Sequence, residues 1–451
     1  MGTTKCKCLL LSEKGEICAI SSADCKLLYT PDGIEQDANG WWDDAVLAIR
    51  RLLDASGAAP KDIVAMSVSS QAIAGVPVNG KSETLYNALS WLDARSGAEV
   101  ESLVGEFGIS RLFEWTGKFA NSYSFPQLMW IKKNLPQVYA KTSKYLHPLD
   151  YLNMKLTGKA VTDYSMASGT YAFDISRHRW VSDLFSFAGI PDSLYADVAC
   201  VGTPIGNLTR EAGEQTGLST DTLVFLGAHD QRCASIGASI GPGVSTISLG
   251  TAAAVSSLVD RPILDSSSGV TCNALTKEHW ILESVIFTAC AALDWAKEMF
   301  FPDNSLAELD AMAASAPPGA SGAVFIPNLA ENDARGGALS GLSLKTTRAE
   351  IARAILEGIA LQLSGHIANQ EALVGKIEKI MLFGGGASSS CWCQIIADIC
   401  KKTVTIPQSK EAAAFGAAVI AGVGAGFWKT YSDACQSKSK TVYHPGSKEG
   451  N

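Results

Sequence analysis

Apolar residues recur along this chain at two spacings, and the alternation between them sketches the architecture. From Trp41 to Ser56 they fall at Trp42, Val46, Ile49, Leu52 and Leu53 and stop at Gly57, which predicts a helix with one buried face. Asp62 to Ser70 reads as a buried strand ending in small polar residues, and Thr222 to Asp230 as a strand running into a polar turn. A helical middle is expected from Arg95 to about Leu135 and again from Tyr145 to Leu156, ending at Gly158. The second half starts afresh with a strand at Gly243 to Thr251. Helices at Ile286 to Met299 and Arg348 to Gln370 follow, then a strand at Lys379 to Phe383 with a glycine triplet behind it. Two further helices, about Ser389 to Cys400 and Ala412 to Gly424, complete the pattern. Strands alternating with helices in both halves predict an α/β fold, mixed sheets flanked by helices and duplicated across two lobes. The break is expected between Ala238 and Gly243, giving domains 1–240 and 241–451. No short-period repeat is visible, which argues against a solenoid.

Length and charge narrow the class. At roughly 150 residues per domain, 451 residues make two or three domains. Basic residues number 37 against 45 acidic, a net charge of -8, and no basic run exceeds Lys-Lys apart from the mixed tail near Lys438 and Lys440. Nucleic acid is a poor partner for such a surface, because neutralising phosphates takes concentrated positive charge. The longest apolar runs fall short of the ~18 residues of a membrane span, and the start MGTTKCKCLLL lacks the apolar core of a signal peptide. A cytoplasmic enzyme is expected, with its 12 cysteines as free thiols. Cys6 and Cys8, like Cys391 and Cys393, are spaced C-x-C with no histidine nearby, so no metal site is assigned. The sequon Asn207-Leu208-Thr209 carries little meaning in such a chain.

Three glycine-bearing strand ends could carry chemistry: Gly2-Thr3-Thr4, Ser248-Leu249-Gly250-Thr251 and Phe383-Gly384-Gly385-Gly386-Ala387. Glycine lets backbone amides approach an anion, threonine adds a donor, and a following helix offers its positive end. The P-loop pattern is absent, and Gly422-Val423-Gly424-Ala425-Gly426 ends a helix instead of following a strand. Gly237-Ala238-Ser239-Ile240-Gly241 fits G-x-S-x-G, but a helix precedes it where a nucleophile elbow needs a strand. His229-Asp230-Gln231 is the better candidate: a carboxylate at a strand-end turn can accept a proton from a hydroxyl attacking phosphorus, or simply cap the helix behind it. Trp91-Leu92-Asp93-Ala94-Arg95 sets an aromatic face, an acceptor and a forked donor within five residues, as a polyhydroxylated ligand or an ordinary salt bridge would use them.

The order of these pieces resembles the FGGY carbohydrate kinases along essentially the full chain. Gly2-Thr3-Thr4 is similar to the end of that family's first phosphate motif, and Glu35-Gln36-Asp37 before Trp41-Trp42 to its E-Q-D-P-x-x-W-W segment. Ser69-Ser70-Gln71 and Trp91-x-Asp93-x-Arg95 resemble its sugar-contacting segments. Asp150-Tyr151 with Leu156-Thr157-Gly158, then Thr162-Asp163-Tyr164 with Ala167-Ser168-Gly169-Thr170, continue the series. Gly227-Ala228-His229-Asp230-Gln231 resembles the segment of the catalytic Asp and Leu249-Gly250-Thr251 the second phosphate motif. Ala334-Arg335-Gly336 with Gly341-Leu342, Arg353-Ala354 with Glu357-Gly358, and Gly384 to Ser389 through Trp392, Gln394, Ala397 and Asp398 complete it, the last resembling the adenosine signature.

The resemblance implies two ribonuclease-H-like, actin-like lobes with ATP in the cleft between them. Its function would be phosphoryl transfer to a sugar hydroxyl, most like the xylulose kinases, with ATP and Mg2+ as cofactors. Asp230 would be the general base. Gln71, Trp91, Asp93, Arg95 and Gln231 would meet the sugar. Thr3, Thr4, Gly250, Thr251, Gly384, Gly385, Gly386, Ala387 and Ser389 would hold the nucleotide. Homodimers are common in the family, and nothing in the chain decides for or against one. Four departures qualify this picture. The family precedes Gly-Thr-Thr with an apolar strand and an Asp, so the expectation is a longer natural chain or an impaired form. The end at Tyr443-His444-Pro445-Gly446 is similarly short. Where xylulose kinases carry Gln-Met-His-Gly, this chain has Gln71-Ala72-Ile73-Ala74-Gly75, and Pro327 to Asp333 is shorter than its counterpart, which leaves the ketopentose less secure than the kinase. A catalytically weak family member that binds sugar or nucleotide, or an ATPase of the actin type, are the competing readings.

Overall fold

The computed structural model describes residues 1–330, 336–435 and 441–446. It is α/β, with mixed sheets flanked by helices. Two compact units divide it: Met1–Gly237 with Asp260–Ile281 and Ala413–Ser437, and Ala238–Val259 with Leu282–Ala412 and Lys438–Asn451. Two stretches from the second half of the chain thus belong to the first unit. The physical reason for the later one is close packing by the Ala412–Gly424 helix. A Cβ on Gly416 would lie 1.8 Å from the carbonyl oxygen of Cys233, and one on Gly424 2.3 Å from the Phe225 ring.

In the first unit the Ala65–Ser70 strand pairs in parallel with Leu223–His229, which pairs antiparallel with Pro204–Asn207 on its other side. Lys5–Leu11 and Ile17–Asp24 form a separate antiparallel hairpin. The predicted first helix spans Ala38–Ser56: the Asp37 side chain accepts from the Asn39 amide, Gly57 stops it at φ 65°, and Trp41, Trp42, Ala45, Ala48 and Ile49 form its buried face. The expected helical middle resolves into Gly97–Phe107, Ile109–Thr116 and Ser124–Asn134, broken where Gly108 and Gly117 take positive φ.

In the second unit five consecutive strands form a mixed sheet. Val244–Leu249 pairs antiparallel with Ala253–Val259 and in parallel with Lys379–Phe383; the latter continues in parallel to Thr403–Ile406, which meets Thr441–Tyr443 antiparallel. The helices Cys290–Phe300, Arg348–Val374 and Ser390–Cys400 cover it with apolar side chains, and buried Trp392 donates its indole N–H to the Leu356 carbonyl.

Two element predictions are corrected. Tyr145 does not begin a helix: Lys144–Leu146 is a strand paired with Val76–Val78, and the helix starts at Pro148, whose ring is preorganised for a first helical position, and runs to Thr157. Ile286 likewise ends the strand Trp280–Ile286, and the helix is Cys290–Phe300. The segment Ala334-Arg335 and part of Pro327 to Asp333 lie outside the described residues. Among the described residues no helix is long and apolar enough to cross a membrane.

Gly416→Ala is a direct check on the packed helix. At an open helical position this change stabilises by up to about 1 kcal/mol. Here the methyl has no room against the Cys233 carbonyl, and a loss of about 1–3 kcal/mol is expected in urea unfolding. A gain would show that the close approach is not real.

Candidate active site

The first functional cluster is built by two parallel strands that end together. Ser70 pairs with His229, so Gln71 and Asp230 are the next residues beyond the same strand ends. The pairing shifts register between Phe225 and Ala228. Gly227 sits in that irregularity, where a Cβ would fall 1.7 Å from the Val68 carbonyl oxygen, so only glycine lets the strands close up. Asp230 then opens the Asp230–Gly237 helix.

Asp230 Oδ1 accepts from the Gln231 amide at 2.7 Å and stands 3.0 Å from His229 Nε2. Oδ2 has no hydrogen-bond partner among the described residues, and the side chain is 34% exposed. Burial alone would push this carboxyl up. The charge and hydrogen bond of His229, the Gln231 amide and the Met1 amino group outweigh it and hold Asp230 below the usual carboxylate range. Asp230 is thus the first residue of its helix, with one oxygen bonded to the next amide and the other free. Behind it, the His229 amide donates to Ser165 Oγ at 3.1 Å, and Ser165 Oγ donates to Asp163 Oδ2 at 2.6 Å. Asp163 also accepts from the amides of Ser165 and Met166 as N-cap of the Tyr164–Ser168 helix. Reading the sequence assigned no role to His229, Asp163 or Ser165; the Asp-x-Ser signal of an N-cap was the available clue.

Around Gln71 the polar side chains close a ring. Thr3 Oγ1 donates to Gln71 Oε1 at 2.7 Å, Trp91 Nε1 donates to Thr3 Oγ1 at 2.9 Å, and Gln71 Nε2 donates to Gln36 Oε1 at 2.7 Å. Gln36 Nε2 returns to the Thr3 carbonyl at 3.2 Å. Gln71 is thus held in one orientation, with its amide bonded to the Met1 carbonyl, while Trp91 keeps 47% of its surface exposed. Thr3, expected at the nucleotide, stands with the sugar candidates in the first unit; Thr4 is exposed, its carbonyl accepting from Cys25. Asp93 and Arg95 are buried and bonded to one another: Arg95 Nη2 lies 2.8 Å from Asp93 Oδ2 and Nη1 3.0 Å from Glu35 Oε1, with the guanidinium 5.0 Å over the Trp130 ring. Asp93 further accepts from the Ile34 amide, and Glu35 from Tyr86 and Asn87. The polar atoms of this pair are thus engaged mainly with protein groups, Glu35, the Ile34 amide and each other. Ile73, two residues past Gln71, adopts φ 73°, a strained conformation for a β-branched residue.

The second cluster lies in the second unit. Ser248 pairs with Phe383, so the Gly250-Thr251 turn and the Gly384 loop emerge side by side from parallel strands. Gly384 has φ 101°, and a Cβ there would meet the Leu249 carbonyl oxygen at 2.5 Å; one on Gly386 would meet the Leu249 side chain at 2.6 Å. Gly385 faces open space. Gly385–Ser388 makes a single 3-10 turn that includes Ala387, and Ser389 caps the Ser390–Cys400 helix by accepting from the Trp392 amide at 3.0 Å. The carbonyls of Gly250 and Thr251 accept from the first amides of the Cys290 helix, and exposed Thr251 keeps its hydroxyl free of partners among the described residues. A glycine turn beside a helix N-terminus is a geometry that receives anions at strand ends.

The buried carboxyl behind His229 makes a pH prediction. Burial pushes Asp163 from 3.8 to about 6, against the lowering by its hydrogen bonds and His229. The folded state therefore holds this proton more tightly than the unfolded chain. Its contribution is complete below pH ~4 and is lost as pH rises through ~6, on the order of 3 kcal/mol. The stability curve of Asp163→Asn should lack that fall relative to the parent, and parallel curves for the two proteins would refute it.

Sequence and structure comparisons identify the family and the fold. The profile for the N-terminal domain of the FGGY family of carbohydrate kinases matches residues 1–237, and that for its C-terminal domain residues 245–425. The xylulose kinase of Bacillus subtilis is 28% identical over 99% of this chain and 91% of its own, and the gluconokinase of Bacillus licheniformis 25% identical over 93% and 85%. Among solved structures, gluconate kinase from Lactobacillus acidophilus superposes with a TM-score of 0.91 at 25% identity, covering 99% of this chain and 92% of that one. Xylulose kinase from Rhodospirillum rubrum gives 0.90 at 27%, covering 98% and 93%. The chain belongs to the FGGY family of carbohydrate kinases.

Proposed function

We propose that this protein transfers the γ-phosphoryl group of ATP to a hydroxyl of a ketopentose such as xylulose, with Asp230 as general base. The observation that carries the reading is Asp230 itself: an ionised carboxylate with one oxygen tied down, the other free, one residue beyond the strand end that also carries Gln71. The substrate hydroxyl gives its proton to Oδ2, its oxygen attacks the γ-phosphorus, and the bond to the ADP oxygen breaks. Gln71 and the exposed face of Trp91 would orient the sugar, with Asp93 and Arg95 as the charged pair of the same segment and Gln231 flanking the base.

The nucleotide would lie along Gly250, Thr251 and the Gly384–Ser389 loop, whose amides and threonine hydroxyl suit phosphate and ribose oxygens. Magnesium would arrive on the nucleotide, neutralising its phosphates, since its usual ligands include the phosphates and water. Among the described residues no three His, Cys, Asp or Glu side chains gather into a cage of their own. The xylulose kinases among the relatives support a ketopentose, and the gluconokinases make sugar acids the second class to assay.

The test is ADP release from Mg-ATP over ketopentoses, aldoses, polyols and sugar acids. Asp230→Asn should lower sugar-dependent release about 10²–10⁴-fold with nucleotide binding retained. Full activity in the variant would remove Asp230 from the chemistry, and release independent of every sugar would favour the ATPase reading. Gly385→Val adds its Cβ where no atom beyond the chain neighbours lies within 4 Å. It should leave the melting temperature unchanged and raise the KM for ATP at least about tenfold while sparing the sugar KM. Unchanged ATP KM would move the nucleotide elsewhere.

A further inference from the structure

The base does not stand alone. His229 Nε2 meets Asp230 Oδ1 at 3.0 Å, on the same oxygen that takes the Gln231 amide, and the His229 side chain is 20% exposed. Two neighbouring residues on a strand normally point to opposite faces; here the strand ends at His229 and the helix begins at Asp230, so the turn folds the two side chains together. The turn is pinned from behind, because the His229 amide is bonded to Ser165 Oγ, itself bonded to buried Asp163.

We propose that His229 is a positioning residue for Asp230: its imidazole engages Oδ1, commits Oδ2 to the sugar hydroxyl, and keeps the carboxylate ionised in a crowded site. This rests on the reading of Asp230 as base. The groups facing the pair come from each neighbouring element. Asp163 comes from the Tyr164–Ser168 helix and Cys233 from the Asp230–Gly237 helix, and the Met1 amino group donates to the Ser69 carbonyl beside the Ala65–Ser70 strand. Cys233 is pushed up to about 12 by burial and stays neutral. His229 also lowers the Asp163 carboxyl, and the Met1 amino group favours ionisation of Asp230. The charge and hydrogen bond of His229 are the largest of the influences that hold the Asp230 carboxyl down, and their loss leaves burial opposed only by the Gln231 amide and the Met1 amino group.

The sign follows. Without the imidazole, the Asp230 carboxyl rises, so the base holds its proton to higher pH and the acid limb of kcat/KM moves up with it. His229→Gln retains an N–H donor near Oδ1 and loses the charge; His229→Ala loses both. The experiment is a carboxyl 13C NMR titration of Asp230 in the full-length protein and both variants, paired with pH–rate profiles. Expected are a raised Asp230 midpoint in both variants, kcat lowered about 10–100-fold in Ala, and kcat largely restored in Gln with the limb still displaced. An Asp230 midpoint that is the same in all three proteins overturns the inference. So does a uniform loss of rate at every pH with the limb unmoved, which would mark His229 as structural. The NMR readout needs no turnover, so it decides the inference even if sugar-dependent ADP release fails and the kinase reading falls.

Discussion

The close approach of two parallel strands, Ala65–Ser70 and Leu223–His229, is the constraint on which the first cluster depends. Their backbones come together at Gly227 against the Val68 carbonyl, with no space for a side chain. That contact, with the register shift around it, decides that Gln71 and Asp230 leave the sheet at the same level though 159 residues separate them. A methyl group there would push the strands apart and take Asp230 away from Gln71. The glycine is retained for proximity, and the site is a by-product of that proximity.

The second unit solves a similar problem in the same way. Two parallel strands end at Leu249 and Phe383, and Gly384 must lie on the Leu249 carbonyl at a φ closed to most residues. The three glycines are not equivalent: the first and third are forced by contact, while the middle one faces open space. Motif reading treats the triplet as a unit, and only packing separates the two glycines that the loop's contacts require from the one whose Cβ position is open.

Polar burial divides the sugar candidates by role. Arg95, Asp93 and Glu35 neutralise one another out of water, with aromatic and amide neighbours completing their hydrogen bonds. Opening this cluster would leave an uncompensated buried charge, so it suits a framework better than a set of contacts that must exchange partners with a ligand. Trp91 and Asp230 are different, each tied at one end and free at the other. That half-engaged state gives a side chain both a fixed orientation and an unused face.

Much of this was legible in the chain itself. Spacing alone located the Ala38–Ser56 and Ala412–Gly424 helices and the Lys379–Phe383 strand, because 3.6- and 2-residue periods are local properties and Gly57 marks its own stop. The order of short motifs identified the family, and with it Asp230. Misreadings fell where local pattern is ambiguous: Tyr145 and Ile286 sit in apolar runs that suit strand or helix, and pairing partners distant in sequence decided for strand. The tertiary structure alone decided which oxygen of Asp230 is free, that His229 faces it, that Thr3 joins Gln71, and that Asp93 and Arg95 are occupied with each other. Each of these is a contact between residues whose approach depends on the packing of a whole unit, and no periodicity in the sequence encodes a distance of that kind.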